Sequence, residues 1–527
     1  MLVIYDISKS LKWKTSPGYD EIPAWIVKLS MPYIISPLIY LCNKMLVTGI
    51  YPSRLKFAQV IPVFKKGSKK ERSNYRPVSV LTAFSKIFEK VIYNRLIQHT
   101  EEINILVTEQ YGFRRNRSTE LAIFNLTNQI LTHINNKSTV CGIFCDLKRA
   151  FDTVNHDKLL TKIELYGIVG KAKELVKSYL SDRYQRVIIK NLNAQCAFSN
   201  WELIKHGVPQ GSILGPLLFL YYINDLPLIM KYFSSPVLFA DDTSFVIANS
   251  NIEKLYNALD MTLDKAHNWF KSNSMLLNNN KTSFMQFSLN TGRGTTSTSF
   301  YNNGQINMIN STKFLGIILE STLSWRQHID YINVKLQSLG YIIRSLRGIL
   351  SLEIVKQIYC SYVHSVLNYG IIFWGSSSYC KTLFITQKRI IRIIMKANVR
   401  ESCRDMFREL GILTLYSQYI YSILMFVANH KEIFKTNNDL NGLNTRQKLN
   451  LHVPSVRLTK VQKGVYYSGI IIYNKLPNGI KEKIGKLREF KTVLKRFLME
   501  NPFYSIAEYM DCDVCKDNKD FNEYTKR

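Results

Sequence analysis

Apolar and polar positions recur along the chain with two different periods, and the switches between them outline its elements. A basic segment, KSLKWKTSPGYDEIP, opens into helix-like periodicity toward residue 30. FAQVIPVF (57–64) predicts a strand entering a Lys-rich turn. Pro62 has no N–H for a ladder, so this should be an edge or interrupted strand. From about 83 to 98, Phe84, Ile87, Phe88, Val91, Ile92 and Leu96 fall at helical spacing, and 120–134 predicts another amphipathic helix. Val140–Cys145 is continuously apolar and β-rich, as a central strand should be. Helices are predicted over 150–166, 171–180, 217–223 and 252–272, and strands over Pro236–Phe239 and Thr243–Ala248. Residues 288–305 are polar and read as an exposed loop, and Lys313–Ile317 as a short strand. After Ser324 strand patterning fades. Helices rich in Ile, Leu, Lys and Arg continue to about Glu432, then a polar linker over 437–447 and a short mixed segment. This order predicts an α+β fold: an open sheet with helices on one face.

Two of the predicted strands end in acid. Asp146 follows Val140–Cys145, and Asp241 and Asp242 stand between the strands of FADDTSF. Carboxylates beside a core are costly unless they hold a cation. Asp146, Asp241 and Asp242 are therefore the expected ligands of two Mg²⁺ ions, with Mn²⁺ as a substitute, in a site that moves a nucleotidyl group by in-line displacement. Alternation along a strand sends Asp241 and Asp242 in different directions, and Asp241 is expected to be the stronger ligand. Asp152 reads as a charge at a helix N-terminus.

Between the acidic segments lies GVPQGSILGPLLF (207–219). Its glycines, Gly211 among them, permit close backbone approach, and Gln210 carries both donor and acceptor for a template base or sugar. Phe151, five positions after Asp146, is either helix core or a ring filling the space of a ribose 2′-hydroxyl. Lys281, in LNNNKTSFMQF, is placed to supply a proton or positive charge to leaving pyrophosphate. Lys65 and Arg76 are candidates to clamp an incoming triphosphate. Arg114, Arg115 and Arg117 are candidates for template phosphates, and Lys388, Arg392 and Lys396, on one helix face, for a duplex backbone.

Charge sharpens this picture. The 527 residues carry 70 Lys and Arg against 39 Asp and Glu, a formal net charge of +31, whose usual partner is a phosphate backbone. Nine scattered cysteines form no disulfide framework and fit a reducing compartment. Cys512 and Cys515 have the spacing of half a zinc site, without the further close ligands that zinc needs. The apolar stretch 33–50, broken by Pro37, Asn43 and Lys44, falls short of a membrane span, and no secretory signal opens the chain. The protein is expected inside the cell, nuclear or cytoplasmic, with no membrane partner. Nothing in the sequence specifies an oligomeric state.

Taken in order, SPGYDEIP, NYRPVSVL, QYGFRRNRST, FCDLKRAFDTV, GVPQGSILGP, FADDTSF, LNNNKTSFMQF and KFLGI resemble the reverse transcriptase of a non-LTR retrotransposon, closest to the jockey-like group. VYYSGIIIYNKLPNGIK is similar to that family's C-terminal region. The resemblance implies a right-hand polymerase fold: fingers over 1–139, a palm with an antiparallel sheet over 140–323, a helical thumb over 324–435 and a C-terminal segment over 436–527. It implies RNA-directed DNA synthesis, with an RNA template, a DNA primer or target and dNTPs as partners. The family's N-terminal endonuclease is expected to be absent. The competing expectation is a truncated, inactive relic or an RNA- or DNA-binding protein that keeps the fold.

Overall fold

The continuous apolar run before Asp146 is explained by burial on both faces. In the computed structural model, which describes residues 2–13, 16–190, 196–288, 298–301, 304–437, 439 and 450–512, Thr139–Cys145 lies inside a six-stranded sheet. Its neighbours are Asp242–Asn249 on one side and Ser283–Phe287 on the other, both antiparallel. Val140 and Phe144 point into one hydrophobic core, while Cys141, Ile143 and Cys145 point into a second. Helix Thr119–Asn135 covers the first face and helix Ile252–Ser272 the second. The expectation of helices on one face is thus corrected: a strand apolar at every position needs cover on both sides.

A second sheet is built around Phe57–Phe64. That strand pairs antiparallel with Tyr75–Val80 and, over Phe57–Val60 only, parallel with Arg183–Lys190. Pro62 falls in the half with one neighbour, where its missing N–H costs no ladder bond. Residues 183–190 and 202–204 join this sheet although they follow Thr139–Cys145 in the chain, so the sheet is built from segments on both sides of the central strand.

Several predicted elements differ in detail. Residues 150–166 are not one helix. A short turn at Ala150–Asp152 precedes helix His156–Leu165, which Asn155 caps by accepting from the Lys158 N–H. Helix cannot run through because the carbonyls of Phe151 and Val154 accept instead from the amides of Val208 and Gly207. Asp152 therefore ends a three-residue 3-10 turn and does not stand at the start of the α-helix. Within 288–305, where a loop was expected, Thr298–Tyr301 and Gly304–Met308 pair as strands, and 289–297 and 302–303 lie outside the described residues. Lys313–Ile317 is a hairpin rather than a strand: Ser311–Phe314 pairs with Ile317–Glu320, and Leu315 and Gly316 both adopt positive φ. Pro37, Asn43 and Lys44 do not break the early apolar stretch. Ala24–Thr48 is one helix, long and apolar enough to cross a membrane by length and composition, with Val27, Met31, Leu38, Cys42 and Met45 packed into the second core. Cys515 and most of the expected 437–447 linker lie outside the described residues.

From Arg326 onward the described residues are mainly helical. The C-terminal helices Val465–Asn474 and Leu487–Glu500 pack on Leu415–Asn429, so the end of the chain shares the first core with the region before it. Phe490, Leu494, Phe497 and Leu498 form the buried stripe of the last of these helices. Leu494→Ala should cost about 2–5 kcal/mol through the cavity it leaves. Because the core is shared, urea unfolding should show the 326–435 region and the C-terminal helices melting together; an early separate transition of the C-terminal helices would contradict this.

Candidate active site

Asp146 leaves the central strand and is fenced at once by residues 276–282. Leu276–Leu277 pairs with Leu147–Lys148, and the turn behind it closes on the aspartate. The Asn278 amide donates to the Asp146 carbonyl at 2.8 Å, and Asn278 Nδ2 to Asp146 Oδ2 at 2.9 Å. Lys281 Nζ stands 3.3 Å from the same Oδ2. The Asp146 N–H donates to Thr282 Oγ1 at 3.4 Å. Lys281 is thus brought to the acidic site, held against the carboxylate it follows by 135 positions.

Asp241 and Asp242 come from a tight turn. Ser235–Phe239 and Asp242–Asn249 pair with Phe239 opposite Asp242, which leaves Ala240 and Asp241 as the connection. The register that sets Cys145 opposite Thr243 carries Asp146 toward Asp242. The electrostatics bear the marks of crowding. Burial raises the Asp241 pKa, Arg76 and Lys65 pull it down, and Asp146 pushes it up. Asp242 reaches solvent, yet the protein around it desolvates the carboxyl and, with the charges of Asp241 and Asp146, pushes it up to about 6. Lys65 and Arg76 also act on Asp242, in the opposite direction. Three aspartates, Lys281, Lys65 and Arg76 therefore share one electrostatic neighbourhood. Among the described residues, no three His, Cys, Asp or Glu side chains already form a cage for a metal ion. The donor set still fits one: hard carboxylate oxygens, mutually repelling, with Lys281 as the cation beside Asp146.

The 207–213 loop forms the next wall. Gly211 has φ +127°, and a Cβ there would meet the Ser79 carbonyl oxygen at 2.4 Å. The Ser79 N–H donates to the Gln210 carbonyl at 2.8 Å, tying the loop to Tyr75–Val80, which carries Arg76. Gln210 Nε2 donates to Asp152 Oδ1 at 3.1 Å, so Asp152 orients the amide. A cavity of about 410 Å³ opens here, lined by Tyr75, Ser79, Arg149, Asp152, His206 and Gln210. Phe151 is half-buried, stacked on Phe219 at 4.6 Å and edge-on to Phe113 at 6.2 Å.

The basic candidates divide. Arg115 is exposed, and Arg117 lies over the Tyr111 ring at 5.3 Å. Arg114 turns inward, its Nη1 donating to the carbonyls of Val107 and Gln110. On helix Cys380–Met395 the expected duplex-facing row turns toward the protein: Lys388 Nζ lies over the rings of Phe384 and Tyr504, and Arg392 Nε donates to the Glu401 carbonyl at 2.9 Å. Lys396 is exposed past the helix end in a left-handed conformation, off the helical row. Spacing alone placed these three on one face; Lys388 and Arg392 are half-buried there against Phe384, Tyr504 and the Glu401 carbonyl, while Lys396 is exposed.

Residues 65–319 match the family described as reverse transcriptase (RNA-dependent DNA polymerase). Residues 65–319 form a reverse transcriptase domain. The chain is 28% identical over 434 residues to the probable RNA-directed DNA polymerase from transposon BS of Drosophila melanogaster, covering 79% of this chain and 46% of that protein. It is 28% identical over 431 residues to the RNA-directed DNA polymerase from mobile element jockey of the same organism, covering 78% and 45%. The chain thus spans about half the length of these curated relatives. Among solved structures, apo telomerase from Candida tropicalis aligns over 79% of this chain and 73% of its own, at 15% identity and a TM-score of 0.40.

Two residues that brace the reverse transcriptase domain escaped the sequence reading. Glu89 is fully buried; its Oε2 accepts from the amides of Ile213 and Leu214 at 2.6 and 3.4 Å, and its Oε1 from the hydroxyls of Ser85 and Tyr179. It seats the end of the 207–213 loop on the N-terminus of helix Leu214–Ile223, where a carboxylate is favoured. A signal existed: Glu89 shares the apolar face of its helix with Ser85, Ile92 and Leu96. Gln110 reaches the Ala240 turn and carried no signal beyond its place in QYGFRRNRST.

The raised pKa of Asp242 sets a pH dependence. An unfolded Asp titrates near ~3.9, so the folded protein holds an extra proton between about pH 4 and 6, and stability falls as pH rises through that window. In EDTA, Asp242→Asn should match the wild-type melting temperature near pH 4 and exceed it above pH 6. Parallel melting curves across that range would show that Asp242 is not crowded by its neighbours.

Proposed function

We propose that this chain is the RNA-directed DNA polymerase of a non-LTR retrotransposon, extending a DNA primer on an RNA template with dNTPs. The observation that carries the reading is the convergence of Asp146, Asp241 and Asp242, with Lys65 and Arg76 acting on the same carboxylates. Two Mg²⁺ ions, or Mn²⁺ in their place, would bind these aspartates and neutralise charge on the attacking and leaving oxygens. The protein's own groups do the rest. Asn278 and Thr282 hold Asp146 by side chain and backbone, so its carboxylate points one way before substrate arrives. Lys65 and Arg76 take the triphosphate, being the cations nearest the carboxylates on the fingers side. Lys281 is positioned to place a positive charge or a proton on departing pyrophosphate. Gln210, oriented by Asp152, contacts the template strand at the 410 Å³ cavity.

In this reading Phe151 presents the edge of an aromatic stack with Phe219 as the wall that excludes a 2′-hydroxyl. Fingers, palm, helical thumb and C-terminal segment are taken in that order along the chain, and in this reading strands Arg183–Lys190 and Glu202–Ile204 belong to the fingers sheet. Arg115 and Arg117 are left as the template-phosphate contacts of their loop. The enzyme works inside the cell, in the nucleus or the cytoplasm.

Asp146→Ala or Asp241→Ala should lower primer extension on an RNA template by about 10³-fold or more, the loss of a metal ligand costing several kcal/mol of transition-state stabilisation. Extension at the wild-type rate by either variant would overturn the assignment. Phe151→Val should lower the ratio of kcat/KM for dNTP over NTP while dNTP use persists; an unchanged ratio would make the ring core alone.

A further inference from the structure

The turn that carries Asp241 and Asp242 is held from outside its own sheet. Ser235–Phe239 is the last strand of the six-stranded sheet, and its outer edge is met by the segment before the arginine-rich loop. The Leu238 amide donates to the Glu109 carbonyl at 2.9 Å, and the Tyr111 amide to the Leu238 carbonyl at 2.8 Å. Gln110, 2% exposed, then reaches along the edge to the turn itself. Its Oε1 accepts from the Ala240 N–H at 2.9 Å and from the Gly112 N–H at 2.8 Å, and its Nε2 faces the Ala240 carbonyl at 3.5 Å.

This grip falls where the turn needs it. Ala240 has φ +55°, a left-handed conformation that is unfavourable for an L-residue and persists only when its surroundings impose it. Ala240 is buried, and Gln110 satisfies its N–H, which would otherwise be an unpaired donor in the interior. The fit is close on the other side too. A Cβ on Gly112 would stand 2.3 Å from the Ala240 nitrogen, so only glycine lets the two backbones meet.

We propose that Gln110 is a positioning residue for the metal site. By fixing the Ala240 peptide it sets where Asp241 and Asp242 stand relative to Asp146, and so sets the affinity of the three carboxylates for divalent cations. The inference rests on the metal-site reading above. It also joins that site to the arginine loop, since Arg114 donates to the carbonyl of Gln110.

The test is Mn²⁺ binding to the nucleic-acid-free chain, followed by electron paramagnetic resonance, for wild type, Gln110→Met and Asp146→Ala. Gln110→Met has similar length and no acceptor. It should weaken Mn²⁺ binding by about 10-fold, the lower end of what loss of an outer partner costs, because Gln110 holds the turn that carries the ligands and not a ligand itself. The Mg²⁺ concentration giving half-maximal primer extension should rise in step, and kcat at saturating Mg²⁺ should recover most of its value. Tyr111→Phe, next to Gln110, loses the bond from Asn125 of helix Thr119–Asn135 but leaves the Ala240 grip intact, and should change thermal stability without changing Mn²⁺ affinity. Should Gln110→Met not fold, Gln110→Asn, whose amide is too short for Ala240, takes its place in the same comparison. Mn²⁺ affinity lost in Asp146→Ala but unchanged in the Gln110 variant would overturn the positioning role alone. Affinity unchanged in both would overturn the metal-site reading itself.

Discussion

The acidic rim depends on like charges brought close together and partly desolvated by the protein around them. Asp146, Asp241 and Asp242 lie at the rim of a sheet buried on both faces, where desolvation and then the charges of Asp241 and Asp146 push Asp242 up to about 6. Such a cluster persists only if the strands beneath it are stable enough to hold it. The twofold burial of Thr139–Cys145 between helices Thr119–Asn135 and Ile252–Ser272 is what makes them so.

The acidic rim is braced by polar side chains that come from other parts of the chain. Asn278 and Thr282 hold Asp146, Gln110 holds the Ala240 turn, Asp152 orients Gln210, and Glu89 seats the loop that carries it. Each brace uses a buried or half-buried hydrogen bond, and an unmade partner there costs more than the bond itself contributes. The two larger sheets are therefore bound to each other by more than a single connection. Strands Arg183–Lys190 and Glu202–Ile204 lie in the sheet of Phe57–Phe64, and residues 109–111 lie along the edge of the six-stranded sheet. The arginine loop is itself tied to the acidic turn, because Arg114 donates to the Gln110 carbonyl and Gln110 holds the Ala240 N–H.

The cationic surface illustrates how far spacing carries. Lys65 and Arg76 were singled out beside a turn, and both act on Asp241 and Asp242. Lys388 and Arg392 were singled out by the i, i+4 rule, which correctly places them on one face of a helix. That rule says nothing about what the face meets. Here it meets Tyr504 and the Glu401 carbonyl, from segments further along the chain.

What the sequence determined by itself is what local chemistry dictates. Periodicity placed Ile252–Ser272, Thr119–Asn135 and the strands around the acidic turn almost to the residue, because burial of an apolar stripe has a fixed period in each element. The motif order named the reverse transcriptase domain, and the three aspartates were legible because carboxylates are out of place beside apolar strands. Only the tertiary structure decided the rest. It broke the expected 150–166 helix by drawing its carbonyls to Gly207 and Val208, folded Lys313–Ile317 into a turn, and gave Glu89 and Gln110 their tasks. Those outcomes depend on hydrogen bonds between residues more than fifty positions apart, or on a turn geometry set by its surroundings. Such partners leave no periodic trace in the chain, since a single polar side chain carries no period and is given its role by the group it meets.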